Sequence, residues 1–318
     1  MRLKAGDWVE VRSAPDILKT LDQGGTLDGL PFMPEMLEFC GKRYKVLRRA
    51  EKTCIELPTK SYVMGEFLNN DVVILDGLRC TGSSHDGCQR LCALFWKTAW
   101  LRKRNATDSI ATPADAEGSH VTLGSPKSTE GNATRYFCQS TELLRSTRPM
   151  SRPRILKTCI SDLRSGSRGF TEMIRLVLVP LWRKATHRFP KETLKGDLSH
   201  TPVGNLNLAP GEWVEIKSVA EIQLTLDARG KNRGLTCDFG MTQFAGKRFK
   251  VLSRLDRMVS ESTGEVRNVQ GTVILDGLSC LCWNVLGGCP RQDFMYWRET
   301  WLKRVNQQVL DNAASQKG

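Results

Sequence analysis

The chain has 318 residues, a length that favours two domains, because single hydrophobic cores seldom grow beyond about 250–300 residues. The formal net charge is +13, with 40% hydrophobic and 25% charged residues, which is typical of a globular protein and excludes a wholly disordered chain and a transmembrane bundle. The 11 cysteines are too few for a disulfide scaffold. The N-terminus reads as a strand and not as an apolar signal core, and the longest apolar stretch, Met173–Trp182, is too short to span a membrane, so the sequence predicts a cytoplasmic protein with no transmembrane segment.

One pattern occurs twice in the chain. GDWVEVRS at Gly6–Ser13 returns as GEWVEIKS at Gly211–Ser218, and FCGKRYKVL at Phe39–Leu47 returns as FAGKRFKVL at Phe244–Leu252, both at an offset of 205. Ordered blocks of this kind indicate a duplicated module. The predicted divisions are module 1 over 1–104, a linker over 105–205, module 2 over 206–306 and a disordered tail over 307–318.

Short β-strands are the main prediction within each module. Trp8–Val11 alternates apolar and polar residues as a half-buried strand does, and Arg43–Arg49 and Asp71–Leu75 alternate in the same way. Asp76-Gly77 then signals a turn or a bulge. The predicted fold class is therefore mainly β with short helices (α+β).

Three helical segments are predicted in module 1, the first of them a short helix over Asp16–Leu21. Pro34–Phe39 predicts a single helical turn, closed by a glycine that follows it. Cys88–Arg102 predicts a longer helix, because Cys92, Trp96 and Trp100 recur at the i, i+4 spacing of one helix face. We therefore expect each module to end in a C-terminal helix.

The GDWVEV strand, the irregular loop after it and the basic strand after Gly41 resemble the SH3-like barrel of the nitrile hydratase beta subunit. The whole chain resembles bacterial proteins with the same two-copy layout, through LDGLPFMPEM at Leu27–Met36, the Cys80–Cys92 loop and FWKTAWL at Phe95–Leu101. The first resemblance implies two SH3-like barrels, a fold that mostly binds partners or nucleic acid. The second brings no known activity with it, and a fold alone does not determine function.

The segment 105–205 is predicted to be a basic, partly disordered linker. Residues 105–208 carry 15 basic and nine acidic side chains, and the first part of the segment is rich in Ser, Thr, Ala and Gly. Near 170–184, the run FTEMIRLVLVPLWR predicts a short apolar helix. Two interpretations of this helix stay open, which are docking on the modules and peripheral contact with a membrane surface.

The cysteines of module 1 form the main candidate site. Cys88 and Cys92 are one turn apart on the predicted helix, and Cys80 precedes them across a glycine-rich loop, so three thiolates could reach one metal ion. If the strands that flank this region pair antiparallel, Cys40 lies near Cys80 and becomes the fourth ligand. The reserve ligands are Cys54 and His85.

Module 2 keeps only part of this ligand set. Cys40 and Cys92 correspond to Ala245 and Asp293, so two of the four predicted ligands are lost together and the site of module 2 is degenerate. Zinc is the predicted metal. An iron–sulfur cluster, a redox disulfide pair and buried apolar thiols are the alternatives.

No phosphate-binding glycine loop and no ordered Ser/His/Asp or Cys/His constellation occurs in the sequence. The sequence therefore favours a non-enzymatic binding or scaffold protein with a protein partner. Nucleic-acid binding is the first alternative, because a basic strand face could follow a phosphate backbone, and an iron–sulfur or redox accessory protein is the second. The candidate nucleic-acid-binding residues are Lys42, Arg43, Lys45, Arg48, Lys247, Arg248 and Lys250.

Overall fold

The structure is a computed structural model that describes residues 2–57, 62–105, 127–130, 133–185, 194–280, 288 and 290–305. The chain divides into two compact units. Unit 1 comprises residues 1–180, 259–267 and 283–292, and unit 2 comprises residues 181–258, 268–282 and 293–318. Most of the linker opening predicted to be flexible, Asn105–Asn132, and the tail predicted to be disordered, 307–318, lie outside the described residues, but Lys127–Glu130 of that opening is a strand.

A curled, five-stranded antiparallel sheet forms the centre of unit 1. Apolar side chains alternate toward its concave core, so that Val9 and Val11 are buried whereas Trp8 and Glu10 are partly exposed. In spatial order the strands are β8 (Ala93–Lys97), β7 (Val72–Arg79), β4 (Arg43–Arg49), β1 (Trp8–Val11) and β9 (Leu101–Arg104).

Shorter elements surround this sheet. They are α1 (Ala14–Leu18), β2 (Thr26–Leu27), β3 (Leu30–Pro31), a 3₁₀ turn at Pro34–Phe39, β5 (Lys52–Glu56), β6 (Tyr62–Phe67), a 3₁₀ turn at Thr98–Trp100, β10 (Lys127–Glu130), β11 (Ala133–Tyr136), α2 (Leu143–Ser146), β12 (Thr147–Pro149), α3 (Arg152–Arg164) and most of α4 (Phe170–Ala185).

The described part of the segment 105–205 adds structure to module 1. Strand β12 pairs antiparallel with β6, giving a three-stranded sheet in the order β12-β6-β5. Glu66 on β6 accepts hydrogen bonds of 2.6 Å from Arg148 and from Arg154, which tie the same two regions together. Unit 1 therefore extends well beyond residue 104, because the chain after residue 133 returns to the first module.

Unit 2 contains a second curled sheet with the same topology. Its strands in spatial order are β20 (Phe294–Arg298), β19 (Thr272–Ser279), β16 (Arg248–Arg254), β13 (Trp213–Ile216) and β21 (Leu302–Arg304). The registers also agree, since Trp8 lies opposite Lys45 in unit 1 and Trp213 lies opposite Lys250 in unit 2. The prediction of two mainly β modules with short helices is thereby confirmed.

The remaining elements belong to the second repeat. They are α5 (Val219–Gln223), β14 (Lys231–Asn232), β15 (Leu235–Thr236), α6 (Phe239–Thr242), β17 (Arg257–Val259), β18 (Val266–Asn268) and a 3₁₀ turn at Glu299–Trp301. Strands β17 and β18 pair as a hairpin, and residues 259–267 of this hairpin form part of unit 1.

The predicted C-terminal helix over Cys88–Arg102 is wrong. This segment is a loop followed by β8, a 3₁₀ turn and β9, and module 2 likewise ends in β20, a 3₁₀ turn and β21 instead of the predicted helix. All five side chains of β8 are buried, so the i, i+4 spacing of Trp96 and Trp100 does not mark the apolar face of a helix. The Gln139 amide covers the outer edge of β8, because it accepts a hydrogen bond from the Phe95 N–H at 2.8 Å and donates to the Phe95 carbonyl at 2.9 Å.

Helix α4 covers the segment near 170–184 for which a short helix is predicted. Met173 and Leu176 on it are buried, whereas Phe170, Ile174 and Leu178 are exposed at i, i+4 spacing. Within the described ranges, no helix has both the length and the apolar character that crossing a bilayer requires.

Candidate metal centre

The loop that joins β7 to β8, residues 80–92, carries the candidate site. Its ends are held together because the Cys80 N–H donates to the Cys92 carbonyl at 2.8 Å. Inside the loop, the Gly82 carbonyl accepts a hydrogen bond from the His85 N–H, which makes a tight turn. Gly82 has a φ of +76°, and a Cβ at this position would lie 1.9 Å from the Cys88 carbonyl oxygen. The turn that presents His85 therefore requires glycine.

Three buried side chains meet at this loop and form a group that could hold a metal ion: Glu35, Cys80 and His85. The Cys80 Sγ lies 3.2 Å from His85 Nε2 and 3.3 Å from Glu35 Oε1, and the last two atoms are 3.9 Å apart. Zinc bonds of about 2.0–2.3 Å at tetrahedral angles place neighbouring ligand atoms roughly 3.3–3.6 Å apart. The three observed separations, 3.2–3.9 Å, bracket this range, so shifts of a few tenths of an ångström in these side chains would bring them to the dimensions of such a site.

Glu35 is a buried carboxylate whose neighbours carry no positive charge. It lies in the first 3₁₀ turn, where it accepts hydrogen bonds from the Cys80 thiol and the Ser84 hydroxyl. Burial lowers the pKa of His85, against the opposing effect of Glu35, so the imidazole is neutral near pH 7. No Lys or Arg side chain of the described residues pairs with this carboxylate. A buried anion without compensation is strongly unfavourable, and a bound cation would supply that compensation.

The other two members of the group are a buried thiol and a buried imidazole. Burial, with smaller contributions from Cys92 and Glu35, raises the pKa of Cys80, so the thiol stays protonated unless a cation displaces its proton. His85 Nδ1 is buried and has no hydrogen-bond partner within the described chain. Because Nδ1 and Nε2 point in different directions from the ring, Nδ1 does not face the triangle, and a buried water is its expected partner.

A small cavity adjoins the group. It has a volume of about 20 Å³, which is room for about one water molecule. Burial raises the pKa of Cys138, one of the thiols that line it, to about 12. The cavity wall includes Cys80, His85, Cys88, Cys92, Cys138 and Arg291.

Residues from the second repeat that belong to unit 1 close the cavity. The Val259 N–H donates a hydrogen bond to Cys88 Sγ at 3.3 Å. Arg291 forms an ion pair of 2.8 Å with Glu261, and Arg90 lies 3.5 Å from the same carboxylate. Two buried arginines and one buried glutamate therefore stand at this side of the cavity.

The predicted ligands are brought together only in part. Cys80, Cys88 and Cys92 line one cavity with the reserve ligand His85, but only Cys80 and His85 belong to the ligand group with Glu35. Cys88 and Cys92 are not on a helix, and Leu91 between them has a φ of +53°, so the helical spacing that would align their thiols is absent.

The remaining predicted ligands lie elsewhere in unit 1. Cys40 follows the 3₁₀ turn, where burial raises the pKa of its thiol to about 11, and Cys54 lies on β5 opposite Met64. Neither residue lines the cavity, and within the described residues neither joins a group of possible metal ligands. Glu35 lies on that 3₁₀ turn itself and could supply a ligand from it.

Two contributors to the site escaped the sequence analysis. Glu35 carries no metal-binding signature, but at the offset of 205 it corresponds to Gly240, so it is lost in module 2 just as Cys40 is. Comparing the repeats for every type of ligand residue, rather than for cysteine alone, would have found it. Cys138 lies outside both repeats, and no signal in the sequence points to it.

The basic residues considered for nucleic-acid binding are partly engaged within the sheets. Arg43 lies 3.9 Å from Glu10, and Lys45 lies over the ring of Trp8 at 5.1 Å. Arg48 is half-buried, whereas Lys42 is exposed. The contacts of Arg248 with Glu215 at 3.0 Å and of Lys250 with Trp213 at 5.7 Å repeat this arrangement in unit 2, where Lys247 lies over Phe244 at 5.6 Å.

The chain was compared with protein-family models, with curated proteins and with solved structures, and none of the three comparisons found a match.

Proposed function

We propose that the chain is a binding or scaffold protein of two SH3-like modules, and that a metal ion held by Glu35, Cys80 and His85 stabilises the first. The observation that carries this proposal is the buried Glu35 carboxylate, which faces a thiol and a neutral imidazole and has no cationic side chain beside it. A divalent cation at the centre of this triangle satisfies all three groups at once.

The expected role of the ion is to join two parts of module 1. Glu35 belongs to the 3₁₀ turn before β4, whereas Cys80 and His85 belong to the loop after β7. An ion that binds only the folded module adds stability by mass action, about 4 kcal/mol when free metal exceeds the dissociation constant a thousandfold.

Zinc is the proposed metal. One thiolate, one imidazole and one carboxylate form a donor set that suits zinc, whereas magnesium and calcium prefer oxygen ligands alone. An iron–sulfur cluster takes four thiolates, and the group contains one. The cytoplasm is the proposed compartment, because an odd number of cysteines fits poorly with a fully oxidised secreted protein.

A protein partner is the proposed target of binding. The exposed apolar side chains of Phe170, Ile174 and Leu178 on α4 support partner contact. Nucleic-acid binding has less support, because Arg43 and Arg248 already pair with carboxylates on neighbouring strands.

The proposal is tested by measuring zinc per chain in the full-length protein purified under reducing conditions. We expect about one zinc per chain, and a loss of affinity of at least about tenfold in Glu35→Gln and in Cys80→Ser. Cys280→Ser is the matched control, since Cys280 occupies the equivalent position at the end of β19 and is exposed. Metal-free wild-type protein, or equal zinc affinity in all four proteins, would contradict the proposal.

A further inference from the structure

The hairpin of β14 and β15 in unit 2 differs in charge from its counterpart in unit 1, the hairpin of β2 and β3. Residues 22–29 contain two acidic and no basic side chains, whereas residues 227–234 contain three basic side chains and one acidic. The two hairpins pair alike, since Leu27 lies opposite Leu30 and Asn232 lies opposite Leu235. The charge of the hairpin has therefore reversed while its backbone pairing has been kept.

We infer that the hairpin of unit 2 binds a phosphate group, with Arg233 and Lys231 as the contacting residues and the buried Arg298 as a charge beneath them. The inference is supported by positive charges that no described carboxylate neutralises, and by a turn in which arginine is an unfavourable residue. It goes beyond the proposed function and does not depend on the metal site.

In unit 1, a buried lysine beneath the hairpin is neutralised by two carboxylates. Lys97 Nζ lies 2.7 Å from Asp28, which is in the turn of the hairpin, and 2.9 Å from Asp71, which precedes β7. The lysine is completely buried, so its charge needs such compensation. The two carboxylates more than balance the lysine, so this place in unit 1 repels an anion.

Unit 2 has the reverse arrangement. Arg298 takes the place of Lys97 in the sheet, and the two acidic positions hold Arg233 and Gly271. Arg298 is buried and donates to neutral oxygens, among them the carbonyls of Asn232 at 3.2 Å and Arg233 at 2.7 Å. Within the described residues, no ion pair joins Arg233 or Arg298 to a carboxylate. The charge that two aspartates balance in unit 1 is therefore unbalanced here.

The charges of Arg298, Arg233 and Lys231 act at the same turn. Burial, with a smaller contribution from Arg233, lowers the pKa of Arg298 to about 10, so its guanidinium is still charged at pH 7. Lys231 and Arg233 lie on the same side of the chain, because Asn232 between them is buried on the other side. Lys231 also has no ion pair with a described carboxylate.

The one carboxylate of this hairpin is held by the backbone. Asp227 Oδ1 accepts the N–H groups of Arg229 and Lys231, each at 2.9 Å. The equivalent Asp22 accepts two backbone N–H groups of its own loop in the same way. This aspartate therefore closes the loop in both repeats, and the charge reversal comes from the other positions.

The geometry of the turn makes Arg233 an unfavourable residue. Arg233 and Gly234 have φ angles of +47° and +84°. Asp28 and Gly29 at the equivalent positions have +52° and +75°. Two-residue hairpin turns with positive φ at both positions strongly favour Asp-Gly and Asn-Gly. Arginine in place of aspartate costs stability at this position, which indicates a role other than folding.

The exposed guanidinium of Arg233 suits a phosphate. Its one side-chain hydrogen bond within the described residues goes to Gln270 Oε1 at 3.2 Å. A guanidinium presents five donors in a planar fork that matches a phosphate, so the remaining donors can bind a ligand from solvent. A phosphate carries a charge of about −1.5 to −2 at pH 7, so three positive charges favour it over a singly charged carboxylate.

Amide NMR of the full chain, titrated with inorganic phosphate at constant ionic strength, tests the inference. We expect saturable shifts at residues 231–234. Arg233→Asn suits the turn and removes one charge, so it should bind phosphate at least about tenfold more weakly without loss of stability. Arg248→Met is the matched control and should bind as wild type does. It removes one charge from the same unit at the opposite end of β16, roughly 20 Å along that strand.

A second variant separates binding from folding. Arg233→Asp restores the residue of unit 1, and the new carboxylate can pair with Arg298. We expect this variant to lose phosphate binding and to unfold at a higher temperature than wild type. A variant that is more stable and yet does not bind shows that the loss of binding is not caused by a damaged fold.

A single-stranded oligonucleotide distinguishes two sources of the phosphate group. If the oligonucleotide shifts residues 231–234 and Arg233→Asn weakens it, the ligand is the backbone of a nucleic acid. If inorganic phosphate alone does so, the ligand is a small phosphate compound. The inference is overturned if neither probe shifts these residues, or if Arg233→Asn binds the responsive probe as tightly as wild type does.

Discussion

The two repeats build the same sheet around different loops. In both, the indole N–H of a buried tryptophan donates to a threonine hydroxyl, from Trp100 to Thr20 at 3.1 Å and from Trp301 to Thr225 at 2.9 Å. The loop ends also match, since the Cys280 N–H donates to the Asp293 carbonyl at 2.7 Å, as Cys80 does to Cys92. The sheet therefore forms from its core residues, and the ligand group is an addition to it.

The second repeat retains one residue of the ligand group and has lost the other two. Cys280 persists at the end of β19 but is exposed, and the position of Glu35 holds Gly240. The loop after Cys280 contains no histidine in its sequence. One retained cysteine thus marks a common ancestry of the loops, whereas a metal site needs the carboxylate and the imidazole as well.

Removal of the metal should produce the largest difference in stability between the two repeats. We expect chelation to lower the stability of unit 1 by about 4 kcal/mol when free metal is initially near a thousand times the dissociation constant. Unit 2 should be unaffected, because it lacks the carboxylate and the imidazole. Amide hydrogen exchange before and after chelation measures the stability of both units. We expect protection to be lost around residues 80–92 and retained on β13 and β16. Equal loss of protection in the two sheets would contradict a site confined to module 1.

A pair of glycine substitutions in unit 1 tests the loop geometry. Gly82 and Gly77 have nearly the same φ, +76° and +75°, but an added Cβ meets the Cys88 backbone only at Gly82. We expect Gly82→Ala to lower the free energy of unfolding by about 3 kcal/mol and Gly77→Ala by about 1 kcal/mol. Urea unfolding of both variants gives these values. Gly82→Ala should also lose zinc, whereas Gly77→Ala should retain it. Equal losses of stability in the two variants would show that the loop accepts a Cβ at residue 82 by shifting its backbone.

Substitution of two glutamates compares the ion pairs that hold β12 in unit 1 with a partly exposed ion pair in unit 2. Glu66 is buried between Arg148 and Arg154, whereas the pair of Glu215 with Arg248 is partly exposed. We expect Glu66→Gln to lower the free energy of unfolding by about 2 kcal/mol at pH 7, and Glu215→Gln by less than about 1 kcal/mol. A loss at Glu66 no larger than at Glu215 would show that β12 is held by its backbone pairing alone.

The contribution of Glu66 should also depend on pH. Burial tends to raise the pKa of Glu66, but Arg154 and Arg148 outweigh it, so the pKa lies below its ordinary value of 4.5. A carboxyl whose pKa is lower in the folded state adds stability above the unfolded pKa and loses it as pH falls through the folded pKa. The difference between wild type and Glu66→Gln should therefore shrink below about pH 4 in acid unfolding curves.

The smallest expected effect is the same in both repeats. Lys45 lies over Trp8 and Lys250 over Trp213. We expect Lys45→Ala and Lys250→Ala each to cost about 0.5 kcal/mol, as exposed cation–π contacts do. Thermal unfolding with salt titration measures both. A clear difference between the two would show that the strand faces have diverged.

The sequence supports the fold further than the site. Duplicated blocks and alternation at Trp8–Val11 predict two β modules, because these signals are local and repeated. The helix predicted at Cys88–Arg102 fails because β8 is buried at every position, which removes the period of two that identifies a strand. Gln139 caps the edge of β8 and Cys138 lines the cavity only because residues after 133 return to the first module. The residue pattern within one repeat cannot predict a contact with a segment that lies outside the repeat.

X-ray absorption at the zinc edge tests the central claim most directly, since it counts sulfur ligands in the full-length protein as purified. We expect one sulfur at about 2.3 Å and the remaining nitrogen or oxygen ligands at about 2.0–2.1 Å, as a site of Cys80, His85 and Glu35 requires. Four sulfur ligands would contradict this account and would restore the set of Cys40, Cys80, Cys88 and Cys92.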